Sequence, residues 1–179
     1  MRKIIAIAAG CAFAFLNLHA QTLKDDEVRS QLLKDWERAK AYTVDDLNTV
    51  PSDKYSFRAT DSIRSFAQQM LHLAQSNVNI IMFVAGEPNI ISDPILENSK
   101  TAQSKDSVVY YVKTSYDLVI DGIKKMNTTS FNDKVKFYDW EETKYVWLLK
   151  AFEHQTHHRA QTTIYIRLIG LHPPQEQLF

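Results

Sequence analysis

His154 and His158 stand four residues apart within Phe152-Glu153-His154-Gln155-Thr156-His157-His158-Arg159-Ala160-Gln161. Residues three and four apart stack along one face of a helix, so these two imidazoles can reach a single metal ion. Alternating steps of four and three trace a seam through Trp147, Ala151, His154, His158, Gln161, Tyr165 and Leu168. The seam is apolar at both ends and polar in the middle, which predicts a buried polar site. Gln161 and Tyr165, one and two turns past His158, could orient a substrate. His157 lies roughly 60° to one side of the His154 line and His158 roughly 40° to the other. The continuation through Gln161 and Tyr165 favours His158, and leaves His157 as a flanking, hydrogen-bonding residue.

On spacing alone, H-x-x-x-H more often marks two inert histidines than a metal pair. A zinc site needs at least three protein ligands. The other histidines past residue 20 are His72 and His172. His172 precedes Pro173 and reads as a loop residue. His72 shares its helix face with Ser65, Gln68, Gln69, Ser76 and Asn79, opposite the apolar stripe, and the pattern reads as exposed. A role at a metal requires that this face line a cleft. Gln155 stands where an HExxH peptidase carries its glutamate base, so that chemistry is excluded.

The elements that must carry these residues read as helices. The 179 residues are 45% apolar with only 4 glycines, which fits one all-α domain. Charges balance at 21 and 21, giving no electrostatic footprint for nucleic acid. Periodicity predicts helices over Leu23–Asn48, from Asp61 or Ser62 to Gly86, over Ser104–Met126 and over Glu141–Gly170. Ile63, Phe66, Ala67, Met70, Ala74, Val78 and Ile81 form the second apolar stripe. Residues 87–103 are long enough for a crossover. Lys134 to Tyr138 alternates weakly and could be extended. These features predict a four-helix bundle with a long crossover connection between helices 2 and 3. The alternative is a helical hairpin pair that closes its core only as a dimer.

Residues 1–20 read as a cleaved secretory signal: Arg2 and Lys3, an apolar run from Ile4 to Leu18, then Ala20 before the cut. The run is shorter than the about 20 residues that span a bilayer. Lipidation at Cys11 after Ala8-Ala9-Gly10 fits less well, because the apolar run before it is short and lacks the usual Leu. Cleavage leaves residues 21–179 as a single domain, exported and periplasmic, with 19 positive and 21 negative charges. It also removes Cys11, the one cysteine. Disulfides, thiolate ligands and a cysteine nucleophile are thereby excluded, and any metal must sit on nitrogen and oxygen.

Glu153 to Gln161, then Tyr165-Ile166-Arg167-Leu168-Ile169-Gly170 and Pro173-Pro174, resembles the H-x-x-H-H-R-G-Q, Y-L-R-x-x-G and proline-pair pattern of the DinB/YfiT-like family. Tyr55 to Thr60 and Met70-Leu71-His72-Leu73-Ala74 resemble its second-helix histidine region, and the likeness extends over about residues 26–175. Ala160 departs from the usual glycine. The resemblance implies a bacterial four-helix bundle with three metal ligands, His72, His154 and His158, and a divalent ion such as nickel or zinc. Some of the family are thiol-dependent transferases or isomerases. It implies no DNA chemistry.

Three functions follow as expectations. The first is a metal-dependent hydrolase or a thiol or group transferase acting on a small molecule, with Glu153 or Asp139 as candidate bases. Solvated surface carboxylates are the commoner meaning of both. The second is a non-catalytic periplasmic binder of a metal or small ligand. The third is a structural helical homodimer with idle histidines. Trp36, Trp140, Trp147 and the tyrosines at 110, 111, 116 and 165 could line a pocket, though packing is their usual work. Arg58, Arg159 and Arg167 could hold an anion, though capping or surface pairing is commoner.

Overall fold

A computed structural model of the protein describes residues 24–179. The expected signal, residues 1–20, and Cys11 lie outside the described residues. Four long helices carry the fold: α1 (Asp25–Thr49), α2 (Phe66–Ala85), α3 (Lys105–Lys125) and α4 (Lys144–Leu168). A hairpin of β1 (Lys134–Phe137) and β2 (Trp140–Thr143) sits between α3 and α4, paired from Lys134 with Thr143 to Phe137 with Trp140. Among the described residues, no helix is long and apolar enough to cross a membrane.

The helix ends follow local chemistry. Helix α2 begins at Phe66 rather than near Asp61. The Ser65 hydroxyl accepts from the Gln68 backbone at 3.2 Å, and the Gln68 side chain accepts from the Ser65 backbone at 3.0 Å. This reciprocal cap starts the helix four residues late, so Ile63 is exposed and outside the stripe. Gly86 ends α2 with φ 73°, a left-handed turn that costs glycine nothing. Gly170 ends α4 the same way at φ 82°, with Leu171 N–H on the Ile166 carbonyl and Gly170 N–H on Arg167. The start of α4 moves in from Glu141 to Lys144, because residues 140–143 are taken by the hairpin and Thr143 caps the helix.

Side-chain contacts set the helix directions. The Arg29–Met126 and Lys105–Val50 bonds make α1 and α3 antiparallel. The Trp36–Phe152 and Arg159–Tyr42 contacts make α1 and α4 parallel. Asn77 meets Ser115 while Ile81 meets Gly122, so α2 and α3 run parallel. A parallel pair needs a return path along the roughly 30 Å of a 20-residue helix. Residues 86–104 provide it, as the expected crossover. They run back over the polar face of α2, where Gln75 donates to the Asp93 and Pro94 carbonyls at 3.0 and 3.2 Å and accepts from Leu96 N–H at 2.9 Å.

The core lies between all four helices of one chain, so no second copy is needed to close it. Trp36 is fully buried against Tyr116 and Phe152 in edge-on contacts. Tyr116 donates to Gln155 Oε1 at 2.7 Å and sits 2.8 Å from the Thr43 hydroxyl, which satisfies a polar strip inside the bundle. Trp140 and Tyr110, by contrast, are exposed.

Candidate metal centre

Helices α2 and α4 are antiparallel, and their facing polar residues meet at mid-length. His154 Nε2 and His158 Nε2 are 3.0 Å apart. The His72 ring lies 5.2 Å from His154 and 4.6 Å from His158, centroid to centroid. One ligand nitrogen from each of the three lies within 4.8 Å of the others. Zinc–nitrogen bonds of about 2.0–2.1 Å put tetrahedral ligands roughly 3.3 Å apart, so closure requires at most a rotamer-scale contraction.

His72 corrects the pattern-based expectation of an exposed ring. Its side chain is 29% accessible, because the crossover covers the polar face of α2 that periodicity assigned to solvent. Within that cover, Glu97 Oε2 accepts from His72 Nδ1 at 2.8 Å and from Arg64 Nε at 2.9 Å. The carboxylate fixes the His72 proton on Nδ1 and leaves Nε2 as a lone-pair donor, the arrangement that orients metal-binding imidazoles.

His158 has its own support. Gln69 Nε2 lies 2.7 Å from His158 Nδ1 and also donates to Gln161 Oε1. Gln161 Nε2 in turn lies 2.7 Å from His157 Nε2. The expected flanking residue therefore connects to the site through Gln161. With the Gln69 and Gln161 amides both turned over, the same chain accepts from a proton on His158 Nδ1, as a ligating Nε2 would need. Among the described residues, His154 Nδ1 is buried and has no partner.

Burial and the crowding of three imidazoles beside Arg64 suppress protonation, and only the Glu97 carboxylate behind His72 opposes them. Burial, then the charges of His154, His72, His157 and Arg64, holds His158 down at about 3. Burial, then His72, His157 and Arg64, brings His154 to about 4. Burial, then Arg64, lowers His72, against the pull of Glu97. At neutral pH all three rings are uncharged and carry free lone pairs, which is the state a metal requires. Two nitrogens facing at 3.0 Å, with a buried orphan on one of the rings, form a donor set that a cation suits.

The expected seam holds in part. Its Ala151, His158 and Tyr165 are buried, but the buried face of α4 also takes in Leu148, Gln155, Thr162 and Ile166, and Leu168 is 56% exposed rather than an apolar end. His154 and Gln161 sit at the margin of that face, where the bundle opens into clefts. A cleft of about 410 Å³ is lined by His72, His154, Arg64 and Glu97, with Phe137 and Tyr138 of the hairpin as a wall. Tyr138 holds φ 54°, a region that residues with a Cβ rarely adopt. A larger cavity of about 730 Å³ adjoins it, lined by Arg58, Arg64, Gln69, Gln161 and Tyr165 among others. Tyr165 donates to the Arg64 carbonyl at 2.9 Å.

His172 is an exposed loop residue, as read from the sequence. Glu153 is exposed and bonds Lys150 at 2.8 Å, and Asp139 is exposed in the hairpin turn, so both take the surface reading. Glu97, Gln69 and Arg64 escaped the sequence reading. Gln69 had one available signal: it lies three residues before His72 on the same face.

The DinB family model matches residues 20–178 of the chain. The fold is similar to the crystal structure of a DinB-like protein from Bacillus cereus, at TM-score 0.69 and 16% identity over 83% of this chain and 97% of that one. It is also similar to a DinB-like protein from Bacillus subtilis, at TM-score 0.66 and 16% identity over 83% and 99%. At that identity the likeness speaks for the fold alone. No curated protein matches the chain. The chain belongs to the DinB family.

Proposed function

We propose that this DinB-family chain is an exported protein that holds one divalent ion, nickel or zinc, on His72, His154 and His158, and acts on a small molecule by metal-dependent hydrolysis or by thiol or other group transfer. The observation that carries the reading is the convergence of three uncharged imidazoles from two helices at the edge of an open cleft. A divalent ion supplies a positive charge that acidifies water or a thiol toward neutral pH. The chain's own residues orient that site. Glu97 holds His72, Gln69 braces His158, and Phe137 and Tyr138 wall the cleft.

A second reading, a periplasmic binder without turnover, has one observation in its favour. Two carboxylates close to the histidines are already paired: Glu97 with Arg64 and His72, and Glu153, next to His154 in the chain, with Lys150. Neither is free to serve as a general base. Export rests on residues 1–20 and is tested by fractionating cells that make the full chain and sequencing the mature terminus, expected at Gln21. The function is tested by metal analysis of purified protein, then by a panel of ester, amide and thiol-transfer substrates with and without chelator. Chelator-sensitive turnover supports the enzyme; bound metal with no turnover across the panel supports the binder.

A further inference from the structure

We propose that the ligand of this site carries an anionic group, a carboxylate or a phosphate, which docks on Arg58 and Arg64 in the cavity beside the three histidines. The proposal rests on the metal-site reading and names the class of molecule it serves. Both arginines line the same cavity of about 730 Å³, and Arg64 also lines the histidine cleft, so it stands between the two spaces.

The two guanidiniums differ in how they are held. Arg64 uses Nε on Glu97 at 2.9 Å. Arg58 donates Nη1 to the Ile63 carbonyl at 2.7 Å and Nη2 to Gln68 Oε1 at 2.6 Å. Both Arg58 partners are neutral, and among the described residues Arg58 is in no ion pair. Its charge is uncompensated while its plane is fixed. A guanidinium offers five N–H donors, so donors remain on each arginine for a ligand. A rigid fork suits the paired oxygens of a carboxylate or phosphate. Two acidic residues share the cavity wall. Glu97 is occupied by Arg64 and His72, and Asp61 is exposed, as Arg58 is, so water screens both and the low-salt condition of the test matters. Tyr165 closes the wall near both guanidiniums, whose charges oppose the upward push of burial on its hydroxyl.

The test is calorimetry at low salt on nickel-loaded protein, with inorganic phosphate and acetate as probes and acetamide as the neutral control. Phosphate and acetate should bind and acetamide should not. Arg58→Gln should weaken both anions at least 10-fold with nickel affinity unchanged, and Arg58→Lys should recover part of the loss. A wild-type shift of the Arg58 side-chain resonance on adding phosphate keeps the test decisive if Arg58→Gln disturbs the loop. Absent anion binding, equal binding of acetamide, or anion binding indifferent to Arg58 and lost with nickel would overturn the proposal. Failure of the metal reading looks different: no nickel binds, yet metal-free protein still binds phosphate through Arg58.

Discussion

Replacing Glu97 isolates the residue that turns an apparently exposed histidine into a metal ligand. Its side chain is 15% accessible and makes two charge-assisted bonds, at 2.8 Å to His72 Nδ1 and 2.9 Å to Arg64 Nε. In Glu97→Gln an amide oxygen can still accept from Nδ1, but the bond falls from about 1.5–3 kcal/mol for a charged partner to about 0.5–1.5. The loss of about 1–1.5 kcal/mol is roughly 10-fold in affinity. Glu97→Ala removes the acceptor and strands Arg64, and should reach about 100-fold, the upper end for such supporting partners. Calorimetric titration of each variant with nickel and zinc reads the effect, and circular dichroism confirms that the helices persist. If both variants bind within twofold of wild type while His158→Ala does not bind, Glu97 does not support a ligand and the role of His72 fails with it.

Further outcomes are expected. Removing the metal with chelator should lower stability by about 2.7 kcal/mol when the free ion had stood at about 100 times its Kd, read as a fall in Tm. His154 and His158 have folded values near 4 and 3, below the ordinary 6.5. The folded metal-free state therefore binds fewer protons, and its stability is full above about pH 6.5 and lost as pH falls toward 4 and 3. The urea midpoint should drop in that window, and less so in the His154→Gln/His158→Gln double variant. Asp46 is wholly buried, neither of its oxygens has a partner among the described residues, and burial raises its carboxyl to about 7 despite Arg159. Its folded value lies above the unfolded 3.8, so this contribution is full at low pH and lost as pH rises through 7. Asp46→Asn removes a carboxylate cost of up to about 4 kcal/mol but leaves an amide short of partners at about 1–3, so it should stabilise the protein by about 1–3 kcal/mol above pH 8. A Cβ on Gly122 would meet Ile81 Cγ1 at 2.8 Å, so Gly122→Ala should cost about 1–3 kcal/mol by overpacking α2 on α3. No loss on denaturant titration would mean that the helices separate freely there.

Apolar periodicity and the glycines at 86 and 170 made the helices and their ends legible. The length of residues 87–103 made the crossover legible, because a parallel α2 and α3 require a long return. Two boundaries were not. Strand β2 forms only by pairing with β1, a contact that helical periodicity in Glu141 to Lys144 does not encode. The α2 start depends on the Ser65–Gln68 cap, which competes with Asp61 and Ser62 as local signals. In the site, His154 and His158 are visible as a spacing, but His72 needed the family resemblance. Helical pattern assigned it to solvent, since a pattern within α2 cannot register that another segment lies over it. Glu97 is less visible still. It lies in a connection without periodicity, and Gln75 places it through three hydrogen bonds to residues 93–96.

Anomalous scattering at the nickel or zinc edge, from a crystal of the metal-loaded protein, tests the central claim most directly. One peak per chain should lie between the imidazoles of His72, His154 and His158, with Glu97 still against His72 Nδ1. A peak elsewhere, or a site on His154 and His158 with the His72 ring turned into solvent, would contradict it.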